Sequence, residues 1–181
     1  MASTTGDSIL SRARVIATQQ GVDPNMSKVI DNRGGARALL NETIRNLYRA
    51  KANDQKFTND ITTKSTIAMT AGVGAVPDEI MREFLDQAQI ADEDDSLITY
   101  LNYAIDVNQT FDQLGYLWIV NDEFHYLAPS PTLLSYGDDL FVTCPSFPTL
   151  PASFSSNITF PSEAIIDDLC SALAAELRGS P

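Results

Sequence analysis

Few side chains here are equipped for catalysis or ligation, and they are scattered. His125 is the single histidine. It lies between Phe124 and Tyr126 in a run that reads as a strand, so a packed or surface histidine is a plainer reading than a general base. Cys144 and Cys170 are the two cysteines. They have no metal-ligand spacing, and two reduced thiols without a disulfide are expected. Gly72-Val73-Gly74 lacks the third glycine and the lysine of nucleotide-binding loops, and Gly34-Gly35 before a helix is a weak anion signal. Asp92, Glu93, Asp94 and Asp95 form the densest anionic run. Their oxygens would suit a hard cation, but the alternating pattern and central glycine of a calcium loop are missing. A solvated loop that caps the next element is the plain reading; a negative surface facing a polyanion that must not bind is the functional one. Tyr116, Trp118, Phe124 and Tyr126 could stack on bases, but without interleaved cations they read as core aromatics. No nucleophile, base and orienter can be paired. Neither an enzyme nor a cofactor or metal site is expected.

Size and charge bound the remaining classes. A chain of 181 residues can bury roughly 70% of its unfolded surface, and no segment reads as a linker between two cores, so a single domain is expected. No apolar run approaches the roughly 20 residues of a membrane span. The first fifteen residues lack the apolar stretch of a signal peptide, which points to synthesis in the cytoplasm. The net charge of -12 is unevenly placed. Residues 1–64 carry ten Lys and Arg against six acids, and the rest carries two against eighteen. So acidic a body argues against sequence-specific nucleic-acid binding, which needs cations against phosphate. It is compatible with letting DNA slide past.

Hydrophobic pattern assigns these residues to helices, strands and turns. Asp7 is placed to cap a first helix with Ile9, Leu10, Ala13, Ile16 and Ala17 on one face and Gly21 past its end. The strongest helix is expected over 35–53. Ala36, Leu40, Thr43, Ile44, Leu47, Tyr48 and Lys51 form its buried stripe, while Arg37, Asn41, Arg45 and Arg49 face elsewhere. Phe57, Ile61, Thr63, Ser65, Ile67 and Met69 fall on odd positions and predict a strand, ended by a turn at Gly72 and Gly74. Residues 77–90 fit a helix from Pro77 or an irregular strand and turn. A strand is expected to begin near Leu97. Residues 116–120 and 124–127 flank Asn121-Asp122-Glu123 as a hairpin, and 139–144 is another strand. Residues 145–161 hold four prolines and no period, yet Phe147, Leu150, Phe154, Ile158 and Phe160 are too apolar for a disordered linker. They predict an ordered arm laid on a surface, its own or a neighbouring subunit's. Ser162 caps a final helix with Ile165, Ile166, Leu169, Leu173 and Leu177 as its stripe. The fold class is α+β. N-terminal helices and a C-terminal helix (1–54 and 162–181) form a helical bundle, with a small antiparallel strand region (55–144) inserted and an extended Pro-rich arm (145–161).

Four stretches in this order, ARALLNETIRNLYR, AVPDEIM, LGYLWIVNDEFHYLAPSP and SEAIIDDLCSALAAELRG, resemble the head-to-tail adaptor, or connector, proteins of tailed bacteriophages, closest to the tail tubular protein A type. They match that group's long helix, its extended Val-Pro-Asp step, its hairpin and its closing helix. The short end after Gly179 departs from members with a long C-terminal extension toward the portal. The resemblance implies a non-enzymatic virion protein in the neck of the particle. It implies a ring, commonly of twelve copies, between the portal protein and the tail or nozzle protein, through which DNA passes without specific binding. The arm residues Phe147, Leu150, Phe154, Ile158 and Phe160 then become subunit-interface candidates. Asp92, Glu93, Asp94 and Asp95 become DNA-channel candidates. Another phage neck or tail-completion ring protein and a small acidic protein-binding module are the alternatives.

Overall fold

The structure is a computed structural model and describes residues 1–21, 33–91, 99–100, 116–127, 139–150 and 153–179. It is α+β, and all its described strand pairings but one are antiparallel. The elements run β1 (Ala2–Thr5), α1 (Gly6–Gln19), α2 (Arg33–Lys51), α3 (Gln55–Ile61), β2 (Thr62–Ile67) and β3 (Val73–Ala75). A 3-10 helix (Arg82–Gln87) comes next, then β4 (Gln89–Ala91), β5 (Thr99–Tyr100), β6 (Tyr116–Val120), β7 (Glu123–Leu127), β8 (Leu140–Pro145), β9 (Asn157–Phe160) and α4 (Glu163–Gly179). They divide into two compact units, residues 1–61 with 147–181 and residues 62–146.

The first unit holds every described α-helix. α1 and α2 both pack against α4, because each carries one apolar stripe that it cannot bury alone. Ile9 and Ala13 of α1, Leu40 and Ile44 of α2, and Ile166, Leu169 and Leu173 of α4 are essentially closed to solvent. This is the pairing of long and closing helices that their stripes require. Leu47 and Lys51, expected in the buried stripe, are only half-buried. The cap of α1 is Thr5 rather than Asp7: Ser8 N–H donates to Thr5 Oγ1 at 3.1 Å. Asp7 sits in the first turn, where a carboxylate still complements the dipole. Gly21 takes φ +86 beyond the end, as the helix stop requires.

Phe57 and Ile61 belong to α3, not to the strand expected there. Four residues apart, they share one helix face and are both buried. The odd-position pattern is ambiguous over so short a span, and Asp54 decides it by accepting from the N–H of Lys56 and Phe57. The strand begins at Thr62.

In the second unit β2, β8 and β4 form one sheet in that order, and β3, β7, β6 and β5 another, with β5 and β6 parallel. Ile67, Met69, Ile80, Leu85, Ile90, Phe124, Leu140 and Val142 make up its core. Both tight hairpins use turns with positive φ at both central residues, Ala71-Gly72 and Asn121-Asp122, the twist that two-residue hairpins favour. Gly74 is required by close approach: a Cβ there would meet Met69 Sδ at 2.5 Å and Ile67 Cγ2 at 2.8 Å. The 77–90 segment resolves into a 3-10 turn and strand β4, with Ile80, Met81 and Leu85 buried and Phe84 and Ala88 packed beside them.

The segment expected as an arm without regular structure ends in a strand. Asn157–Phe160 pairs with Ala2–Thr5, placing Phe160 opposite Ala2 and Ile158 opposite Thr4. Four alternating residues, N-I-T-F, are too short a signal to read against four neighbouring prolines. No helix among the described residues is long and apolar enough to cross a membrane.

Candidate functional site

The five arm candidates belong to one unit; Phe147 and Leu150 lie on α2, Phe154 and Ile158 border Arg37 and Leu40, and Phe160 pairs with β1. The α2 residues expected to face away from its buried stripe provide the bed. Phe147 lies beneath Arg45 and Arg49, whose guanidinium carbons are 4.8 and 5.7 Å from its ring centre. Tyr48 packs beside it at 6.0 Å between ring centres. Arg45 is steadied one turn away by Asn41, its Nε donating to Oδ1 at 3.4 Å. A further turn back, Arg37 donates to the carbonyl of Leu150 at 3.3 Å. Arg37, Asn41, Arg45 and Arg49 are four residues apart in sequence, so they make one row on the helix. What reads from the sequence as a basic solvent face is therefore a track for the arm.

Beyond Leu150 the chain turns at Ser153–Ser156 and is pinned to α1. Asp7 N–H donates to the Phe154 carbonyl at 3.1 Å, and the Phe154 ring fills the space over Gly6 where any larger residue would need its Cβ. Arg37, Leu40, Leu150, Ser153, Phe154 and Ile158 line a hollow with about 10 Å³ of water-sized space. That holds one water at most, and small-molecule sites run to roughly 300–1,000 Å³. Phe147, Ile158 and Phe160 are 6%, 2% and 1% exposed within the single chain. Leu150 and Phe154 are half-buried. The arginine row accounts for the burial of Phe147 and the pairing with β1 for that of Ile158 and Phe160, which leaves Leu150 and Phe154 with surface to offer.

Asp92, Glu93, Asp94 and Asp95 lie outside the described residues. Other carboxylates of the second unit are described, and Asp78, Glu83, Asp86, Asp122 and Glu123 are exposed. Arg82 Nε reaches Asp122 at 2.8 Å and ties the hairpin tip to the 3-10 turn. The charge split along the sequence resolves differently in three dimensions. The first unit holds ten Lys and Arg against ten acids, and the second holds two against fourteen. The whole net charge of -12 therefore belongs to residues 62–146. The closing helix neutralises the basic N-terminal helices directly. Lys51 reaches Asp168 at 2.8 Å, and Arg12 pairs with Asp167 and Glu163. Asp167 is the main reason the Arg12 guanidinium is held above its usual range. The sequence signal for this was the acidic first half of α4 beside two basic helices.

The chemistry-bearing residues stay apart. His125 is in β7, its Nε2 3.6 Å from Glu123 Oε2, a pair that becomes ionic only with a protonated ring. Cys144 and Cys170 are buried free thiols, one in each unit. Burial pushes Cys144 up to about 12, with the charges of Glu83 and Asp86 adding to it. Burial also raises Cys170, against the opposing pull of Arg12. Both are poor nucleophiles in this state. Among the described residues no cluster of three or more His, Cys, Asp or Glu could hold a metal ion. No family model, no curated protein and no solved structure matches the chain.

Proposed function

We propose that this chain is a virion structural protein of a tailed bacteriophage, a head-to-tail adaptor. Copies of it form a ring between portal and tail that prolongs the DNA channel. The observation that carries the reading is the order of the long helix, the Val-Pro-Asp step, the hairpin and the closing helix, each on a stretch that resembles the adaptor group. The charge of the two units supports it. A conduit must keep phosphate mobile, and a unit with fourteen carboxylates against two cations, repeated around a ring, sums to a repulsive field. Asp92, Glu93, Asp94 and Asp95 are the leading channel residues in this reading.

The finer architecture belongs to the same proposal. The helices of the first unit act as a helical bundle that forms the rigid body of the ring. The Pro-rich arm, held to α2 by Arg37, Arg45 and Arg49, presents Leu150 and Phe154 to the next copy. The test is to mix the chain with the portal protein encoded in the same genome and examine the product by electron microscopy. A ring of chain copies stacked on the portal, with a continuous channel, is expected. A portal that stays bare at micromolar concentrations of the chain overturns the reading.

A further inference from the structure

The chain passes between its two units twice, through the Ile61-Thr62 link and the Ser146-Phe147 link. The two crossings are neighbours. β2 begins at Thr62 and β8 ends at Pro145, and these two residues are partners in the antiparallel ladder. Paired strands lie about 4.8 Å apart, so the outgoing and returning chains run side by side at the boundary.

Each crossing is clamped on both sides. Before the first, Phe57 and Ile61 of α3 are buried, and the Phe57 ring meets Tyr48 edge-on at 5.1 Å between ring centres. After the second, Phe147 packs on the same Tyr48. One buried tyrosine of α2 therefore holds the chain on both its exit from the helical unit and its return. On the strand side Thr63 Oγ1 donates to Ser146 Oγ at 3.0 Å, and Ser146 Oγ donates to the Cys144 carbonyl at 3.1 Å. Met81 N–H donates to the Pro145 carbonyl at 3.0 Å, and Ile80 bridges to Ser146. Between these clamps run the Ile61-Thr62 and Ser146-Phe147 links.

Two attachment points side by side define an axis. Rotation about the line that joins them needs only backbone dihedral changes at the crossings. A sideways tilt would stretch one link against the other. A hinge requires a few residues at element ends that absorb the dihedral change while the packed bodies on either side stay intact. We propose that the paired crossings are such a hinge, about which residues 62–146 move as a body against the helical unit. The moving body is the one that carries the whole net charge of -12. The device goes beyond the ring reading and does not rest on it.

The test uses pairs of spin labels on the full chain, with distance distributions read by double electron–electron resonance. Val15, Lys56, Thr66 and Gln87 are exposed and take the labels through substitution by cysteine, while the native thiols are buried. Val15→Cys with Lys56→Cys reports within the helical unit, and Thr66→Cys with Gln87→Cys within the strand unit. Val15→Cys with Gln87→Cys reports between them. The distribution between the units should be at least about twofold wider than either distribution within a unit. Because Lys56 precedes the first crossing and Thr66 follows it, narrow distributions within both units confine the motion to the crossings. Equal widths for all three pairs overturn the hinge. A pair within one unit as broad as the pair between units overturns it too, since that unit would not move as a body.

Discussion

Residues 1–61 with 147–181 make a unit of helices in which ten cations meet ten carboxylates, and residues 62–146 make a unit of short strands in which two cations face fourteen. In the helical unit charge works inward. Lys51–Asp168 and Arg12 with Asp167 and Glu163 fasten helices that are far apart in sequence, and three arginines of α2 hold the arm. In the strand unit carboxylates far outnumber cations, and the fold rests on its apolar core and two tight hairpins. One chain can thus separate an electrostatically closed part from an electrostatically open one, whose net field reaches further into solvent.

The contrast can be broken most forcefully at the cores. Far-UV circular dichroism follows the helical unit, which holds all the described α-helices, and Trp118 in β6 follows the strand unit by fluorescence. Leu169→Ala or Leu40→Ala should destabilise the helical transition by about 2–5 kcal/mol and shift the Trp118 transition far less. Phe124→Ala, with its ring closed to solvent, should do the reverse by about 3–5 kcal/mol. Guanidinium titrations with both probes check this; coincident shifts in every variant would mean the two units unfold as one.

A smaller effect is expected at Gly74. Alanine there drives a Cβ against Met69, Ile67 and the Ala68 carbonyl, and it should cost the Trp118-detected transition about 1–3 kcal/mol. A stability loss under about 0.5 kcal/mol, on the order of a neutral surface change, would show that the turn relaxes freely.

Alkaline pH probes the buried acids of both units. Burial holds Cys144 at about 12 against a usual 9.0, and raises Cys170 and Tyr48 in the helical unit. Between those values the unfolded chain has lost protons that the folded chain keeps. Stability should therefore be flat below pH 9 and fall from pH 9 toward 12, by at most about 1.4 kcal/mol per pH unit for one thiol. Cys144→Val should flatten that fall for the Trp118 probe and leave the helical probe unchanged. An unaltered slope would place the alkaline sensitivity elsewhere.

The smallest effect should have opposite signs in the two units. Raising salt from about 0.05 to about 0.5 M screens the half-exposed pairs of Lys51 and Arg12 and lowers helical stability by under about 1 kcal/mol. The same salt relieves repulsion among the carboxylates and should raise the Trp118-detected stability by a similar amount. Shifts of one sign in both probes would erase the contrast.

Much of this was legible in the sequence. The stripes of α1, α2 and α4 showed which helix faces are buried, since a helix repeats every 3.6 residues, though Ile16, Leu47 and Lys51 at their margins are only half-buried. The hairpin around Asn121-Asp122 was legible from two aromatic and β-branched runs and a polar turn. The odd positions of 63–69 announced a strand, and Gly72 its turn. Phe57 and Ile61 misled, because spacing over four residues fits a helix as well as a strand, and a local bond from Asp54 broke the tie. Strand β9 was hidden for the same reason of length. Only the tertiary structure could decide that the Arg37, Arg45 and Arg49 row carries the arm, because the row's partners lie about a hundred residues away. It alone assigned the net charge to one unit. Charge counted along a chain follows covalent order, but a helix that packs back against the opening helices moves its carboxylates beside their cations. The electrostatic body of the protein is defined by that packing.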